Sequence, residues 1–104
     1  MLRQFDIVVN PDAQEAQIRP YLVILQSDLL SGLASIIVAP LIARERMAGA
    51  QRLNPIVTVA GREYWLATHE LFAVDRRVLR AAVGSISERR DSIIAAIDLI
   101  FLGF

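Results

Sequence analysis

The chain contains no cysteine and no lysine, and its one histidine is His69. Without cysteine there is no disulfide framework, no thiolate metal site and no thiol nucleophile. Without lysine, all eleven basic residues are arginine, and they balance eleven acidic residues to a formal net charge of zero. That balance argues against a protein held to nucleic acid by bulk charge and against a polybasic membrane anchor. Arginine is also the better residue for buried or interfacial ion pairs. The five glycines, at positions 32, 49, 61, 84 and 103, are isolated, so there is no glycine-rich loop to cradle a phosphate. The longest uncharged run, residues 29–43, contains Ser31, Gly32, Ser35 and Pro40 and falls short of the ~20 residues that span a bilayer. The first six residues, Met1 to Asp6, lack the apolar stretch of a secretory signal. The expectation is a cytoplasmic protein in which residues 1–104 form one domain.

What the chain has in excess is apolar surface, at 55% of its residues. For a chain of 104 residues this surplus suggests a face buried against a partner, most simply in a symmetric homodimer. Residues 5–9 read as a strand that stops at the turn Asn10-Pro11-Asp12. Residues 13–19 are polar and read as a loop closed by Pro20. The run 21–25 is continuously apolar, which predicts a strand buried on both faces or at an interface between copies. Residues 36–38 read as a further strand ending near Pro40, since proline donates no ladder hydrogen bond. Residues 41–52 fit a loop or a helical turn. Residues 56–59 and 63–67 flank Ala60-Gly61-Arg62 and predict a hairpin with a three-residue loop, Gly61 taking positive φ. Residues 71–74 can form one more short strand. Residues 75–83 are ambiguous, because Val74, Val78, Leu79 and Ala82 also fit one helical face.

The last segment is helical by spacing. Ser85 and Glu88 stand in capping-box spacing. Ile93, Ile97, Ile100, Phe101 and Phe104 then recur along one side of a helix, with Gly103 as the natural stop. At 100° per residue, Leu102 falls on the opposite, polar side with Asp91, Ala95 and Asp98. Short antiparallel strands followed by one C-terminal helix, with no βαβ alternation, predict an α+β fold built on a small β-barrel.

Catalytic readings find little material. His69, in Thr68-His69-Glu70, lacks the i, i+4 partner of a helical metal site and reads as a polar residue at a strand end. No metal, cofactor or catalytic residue is assigned, and the expectation is a non-enzyme. The arginine groups Arg76-Arg77-Arg80, Arg89-Arg90 and Arg44-Arg46 fit a solvated surface or an acidic partner. For RNA cleavage an arginine needs a general base beside it, and the only clustered candidates are His69, Asp75, Arg76 and Arg77. Phe101, Leu102 and Phe104 around Gly103 fit core or dimer packing and a partner-binding tip equally well.

Five stretches carry a resemblance that runs through the chain: Arg3-Gln4-Phe5, Leu25-Gln26-Ser27-Asp28-Leu29-Leu30, Val38-Ala39-Pro40-Leu41, Leu53-Asn54-Pro55, and residues 96–104. In this order they resemble CcdB, the toxin of a bacterial toxin–antitoxin pair that acts on DNA gyrase. The resemblance implies an SH3-like antiparallel β-barrel with a C-terminal α-helix, assembled as a homodimer. It implies a protein that wedges against the dimerisation core of DNA gyrase A and holds the cleaved-DNA state. The gyrase-binding positions carried over are Leu29, Leu30, Asp98, Phe101, Leu102, Gly103 and Phe104. Two of them depart from the family pattern: Leu102 stands where tryptophan is usual, and Asp98 where asparagine is often found. Leucine cannot stack on an arginine as tryptophan does. The implied second partner is a CcdA-like antitoxin whose disordered tail folds onto the toxin, with operator DNA met only through that complex. Candidate antitoxin contacts are Asn10, Asp12, Arg19, Arg44 and Arg46, the arginines facing an acidic tail. Two other readings stay open: an endoribonuclease toxin on the same barrel, and a non-toxic chromosomal relative that only binds antitoxin.

Overall fold

A computed structural model describes residues 1–103. Seven strands form one antiparallel sheet: β1 (Asp6–Val9), β2 (Tyr21–Ile24), β3 (Ser35–Ala43), β4 (Ile56–Val59), β5 (Arg62–Leu66), β6 (Phe72–Asp75) and β7 (Gly84–Ser85). Helix α1 (Arg90–Leu102) follows. The strand order is β4-β5-β3-β2-β1-β7, with β6 also paired to β3, and the sheet nearly closes into the barrel expected from the sequence.

Alternation along the three central strands explains their unbroken hydrophobicity. Ile7, Val23, Ala39 and Leu41 belong to one buried cluster, which also holds Ile86 and the helical Ile93. Their neighbours Val8, Leu22, Ile24, Ile36 and Val38 form a second cluster on the opposite face. Successive strand side chains point to opposite sides, so a sheet covered on both faces must be apolar at every position. Helix α1 covers the first face. Leu79 and Val74, on the crossing from β6 to β7, pack against the second.

Strand β3 does not end near Pro40; it continues to Ala43. One edge of β3 pairs with β2 from Val38 to Leu41. Its other edge pairs first with β6, through Val38, and then with β5, from Leu41. The Pro40 carbonyl accepts the Ala67 N–H (2.8 Å) on this second edge. A strand residue's N and O lie on the same edge, so the missing donor of Pro40 falls at the junction between β6 and β5.

Two further expectations are corrected, the hairpin loop and the Ser85 cap, and the ambiguity at residues 75–83 is resolved. The β4–β5 hairpin has a two-residue turn, because Val59 pairs with Arg62 and both Ala60 (φ 51°) and Gly61 (φ 78°) are left-handed. Such a turn matches the twist of the strands it joins. Residues 75–83 are not a helix: after a single 3₁₀ turn at Arg76–Val78 the chain has no regular structure until β7. The helical periodicity of Val74, Val78 and Leu79 arises because Val74 and Leu79 both reach the same sheet face from non-helical backbone. Ser85 does not cap the helix, because it lies in β7, paired with Asp6. A 3₁₀ turn at Ser87–Arg89 intervenes, and α1 begins without a side-chain cap. The 41–52 stretch is strand as far as Ala43, then a 3₁₀ turn at Arg44–Arg46. The 13–19 loop carries one 3₁₀ turn, Glu15–Gln17.

Ala60 holds a conformation that costs a residue with a Cβ about 1–2 kcal/mol, against about 0.5–1 kcal/mol of extra chain entropy for glycine. Ala60→Gly is expected to stabilise the fold by about 0.5–1 kcal/mol, read as a rise of a few degrees in Tm. An unchanged or lowered Tm shows that the turn is not strained at this position.

Candidate functional site

Helix α1 is anchored at one end and bare at the other. Ile93 and Ala96 are fully buried and Ile97 packs against the core, whereas Phe101 is 65% and Leu102 61% exposed. The spacing of the stripe predicts Phe101 inward with Ile93 and Ile97. Instead, small Ala96 sits on the buried side, and the last turn overhangs the sheet. Gly103 ends the helix at φ 81°, its N–H donating to the Leu99 carbonyl (3.2 Å), as the spacing predicts. Asp98 is half-buried and has no ion-pair partner among the described residues. Phe104 lies outside the described residues.

Below the overhang is an apolar hollow of about 190 Å³ lined by Leu25, Gln26, Ile37, Leu71, Ile97 and Phe101. Gln26 connects this hollow to the 3₁₀ turn Asp28–Leu30. Its amide donates to the Leu30 carbonyl (3.4 Å), and its carbonyl oxygen accepts the Ile37 N–H (3.2 Å). The Ser27 hydroxyl accepts the Leu29 N–H (3.1 Å) and holds that turn with Leu29 93% exposed and Leu30 half so. Leu29 and Leu30, far from the helix end in sequence, thus share a neighbourhood with it through Gln26. Ile37 is part of this surface and is absent from the residues that sequence reasoning singles out. It carries no local signal, because its exposure depends on a strand edge beyond the reach of α1.

Three of the candidate antitoxin residues gather on the other face of the sheet. Asn10, Asp12 and Arg19 line a cavity of about 470 Å³ together with Pro11, Glu15, Leu22, Pro40, Glu70, Phe72 and Val74. Asn10 donates to the Arg19 carbonyl (2.9 Å) and accepts the Asp12 N–H (3.0 Å), closing the loop on itself. Arg19 Nε meets Glu70 at 2.8 Å, and its Nη1 meets Glu15 at 3.2 Å. The Glu70 hydrogen bond, more than the Coulomb attraction of either carboxylate, pushes the guanidinium pKa above its ordinary value, with burial opposing. Glu15 is visible in the sequence as the i, i+4 partner of Arg19, but Glu70, 51 residues away, is not. Arg44 and Arg46 do not join this group. Arg44 stacks over Trp65 and binds Glu63 at 2.7 Å beside the Arg62–Glu45 pair, and Arg46 makes no ion pair among the described residues.

Of the clustered catalytic residues, His69 and Asp75 form no pair with each other among the described residues; the carboxylate beside His69 is Glu70, whose Oε2 lies 3.9 Å from His69 Nε2 and whose Oε1 binds Arg19. His69 Nδ1 lies 3.2 Å from the buried amide of Asn54, which also binds the Leu66 carbonyl. Asp75 is occupied by Arg77, through a 2.9 Å salt bridge and the Arg77 N–H at 2.9 Å. These hydrogen bonds pull its carboxyl down to about 2, which makes it a poor proton acceptor at neutral pH. Among the described residues no group of three His, Asp or Glu side chains could hold a metal ion. No helix among them is long and apolar enough to cross a membrane.

The molecule is a nearly closed antiparallel barrel with an exposed apolar helix end on one face and a rimmed cavity on the other. The family model described as "CcdB protein" matches residues 4–103, and the chain belongs to this family. Membership marks it as a toxin of a toxin–antitoxin pair. Among solved structures it is similar to the Mycobacterium tuberculosis toxin MazF-mt6 (TM-score 0.72, 16% identity), over 95% of this chain and 96% of that one. At that identity the likeness establishes the fold alone. No curated protein matches the sequence.

The Asp75–Arg77 pair makes a pH prediction. A carboxyl depressed from 3.8 to about 2 contributes stability above the unfolded pKa and loses it as pH falls toward about 2. Carbon-detected NMR titration should give a midpoint near about 2 for Asp75, and Arg77→Ala should return it toward 3.8. A normal midpoint in the unsubstituted protein removes the pairing.

Proposed function

We propose that this protein is a homodimeric toxin that binds DNA gyrase A, traps the gyrase–DNA cleavage complex, and is neutralised by a cognate antitoxin. The observation that carries the reading is the exposure of Phe101 and Leu102 on a helix that is otherwise anchored in the core. A free chain gains nothing from two large apolar side chains held in water at a rigid helix end, whereas a binding tip requires them. Leu102 and Gly103 belong to that tip, with Phe101 and Asp98 on the adjoining turn, and the resemblance adds Phe104 as a further contact. Leu29 and Leu30 supply a second point of contact across Gln26. The wider apolar rim, with Leu25, Ile37, Leu71 and Ile97 around the hollow, fits closure against a second copy. Such a division gives each apolar group a cover: the dimer takes the hollow, and the target takes the tip. The protein then acts by binding rather than by bond chemistry, and its work is done in the cytoplasm where gyrase resides.

Leucine at 102 offers area but no π face, so this tip holds its target by burial and shape rather than by stacking on a cation. Asp98 adds a charge that an arginine or lysine of the target can pair.

The RNA-cleaving reading draws on one observation, the barrel shared with toxin MazF-mt6. Against it, the Asp75 carboxylate is held by Arg77, His69 Nδ1 lies against Asn54, and Glu70, the carboxylate 3.9 Å from His69 Nε2, is bound to Arg19. Incubation of RNA with the purified protein tests it directly: cleavage that is lost in His69→Ala or Arg77→Ala establishes it.

In a gyrase assay the intact protein should accumulate cleaved DNA, and deletion of residues 102–104 should lower that activity at least about 30-fold, the loss of a hot spot of about 2 kcal/mol. The shortened protein should keep its circular dichroism and its dimeric mass. Equal poisoning by the shortened protein puts the contact elsewhere. Unimpaired growth of a sensitive bacterium expressing the intact toxin alone identifies a non-toxic relative instead.

A further inference from the structure

We infer that the cavity on the face opposite α1, with the open edge of β6 beside it, is a docking site for an extended peptide carrying a basic side chain next to an apolar one, supplied by the antitoxin tail. This deepens the reading above and rests on it for the identity of the partner. The charge of the arginines suggests an acidic tail; at this site the charges that remain call for the reverse.

Two independent observations lead there. The first is the lining. Leu22, Pro40, Phe72 and Val74 make an apolar floor, and Phe72 is 42% exposed. Around them stand three carboxylates, Asp12, Glu15 and Glu70, against one cation, Arg19. That cation is already spent on Glu70 (2.8 Å) and Glu15 (3.2 Å), and the Asp12 carboxylate accepts the Gln14 and Glu15 N–H groups without losing its charge. The rim therefore carries a formal −2, three carboxylates less one guanidinium, with no free cation among its lining residues. An anionic group placed there meets repulsion, while a guanidinium or ammonium whose stem lies on Phe72 satisfies both floor and rim.

The second observation is the backbone. Strand β6 pairs with β3 through Val38–Phe72, Ile37–Ala73, Ile36–Val74 and Ser35–Asp75. The Arg76 N–H continues this ladder to the Ala34 carbonyl, so the alternate residues Phe72 and Val74 turn their N–H and C=O toward β3. Ala73 consequently turns its N–H and C=O to the outer edge, and among the described residues no other strand pairs there. An unpaired strand edge accepts an added strand. On an extended chain paired at Ala73, alternate side chains project to the face of Phe72 and Val74, over the cavity. The edge thus selects an extended peptide over a small ligand, and the rim selects its charge. The segment from Arg76 to Val83 covers the same sheet face toward Ile24 and Ile36 and leaves the Leu22–Phe72 end open.

The full-length protein can be titrated with two capped peptides, acetyl-Val-Leu-Arg-Val-amide and acetyl-Val-Leu-Glu-Val-amide, and followed by amide NMR. The arginine peptide should shift Ala73 and residues 10–19 and bind roughly two- to five-fold more tightly than the glutamate one, the range of one exposed ion pair. Glu15→Gln should erase most of that preference. Ala73→Pro removes the outward N–H and leaves the ladder donors of Phe72 and Val74 in place; with the amide spectrum of β3 and residues 10–19 unchanged, which shows the fold and the floor intact, it should lose the binding. Equal or stronger binding of the glutamate peptide, or shifts confined to the α1 face, overturns the inference. Co-purification with a cognate antitoxin then tests the partner. If the complex forms and is indifferent to Glu15→Gln and Ala73→Pro, the docking site is wrong and the antitoxin reading stands. If no such complex forms while the arginine peptide binds as described, the site stands and its assignment to an antitoxin falls.

Discussion

Both surfaces of this protein depend on the double pairing of strand β3. Nine residues long, it is paired to β2 on one edge and shared between β6 and β5 on the other. Residues 38–43 are all buried: Val38 to Leu41 lie between β2 and the β6–β5 edge, and Ile42 and Ala43 continue the pairing with β5. The change of partner on the second edge is what bends the sheet toward a barrel. It also sets Phe72 and Val74 beside Pro40 and Leu22, which makes the cavity. On the other face the same strand delivers Ile37 to the hollow beneath the helix end. Moving β3 by one residue against β2 would exchange its two buried sets and take both surfaces with it.

Much of this architecture is legible in the residues themselves. A continuous apolar run at 21–25 signals a strand covered twice, and the two buried clusters on β2 are its consequence. Gly103 stops the helix as its position suggests. The misreadings share a physical cause, which is that a residue's local rule is overridden by a distant partner. Pro40 looks like a strand terminus until one sees that its edge changes hands at that point. Ser85 looks like a helix cap but is held in a strand by Asp6, at the other end of the chain. Phe101 has the spacing of a core residue, yet the sheet under α1 ends before the helix does. For the binding surfaces, Asn10, Asp12 and Arg19 are visible as a polar loop. Glu70 and Phe72, which give the cavity its sign and its floor, arrive from beyond the β4–β5 hairpin.

Part of the charge of the chain is paired internally. Arg19, Arg44, Arg62 and Arg77 each have a carboxylate within bonding distance. Most of these pairs are exposed and individually worth little. The two faces differ locally, with an acidic rim over an apolar floor on one and bare hydrocarbon on the other.

The first strand of the barrel is closed by residues made long after it. Asp6 and Ile7 pair with Ser85 and Gly84, Phe5 is bracketed by the backbone of Ile24 and Ile86, and Arg90 lies over the Phe5 ring. A growing chain still on the ribosome cannot complete that closure until residues 84–90 have emerged. At synthesis rates of about 5–20 residues per second the delay lasts on the order of several seconds per molecule. During that interval β1 has a bare edge and the helix end does not exist. On the reading proposed above, a surface that needs α1 is therefore absent while the barrel is being made.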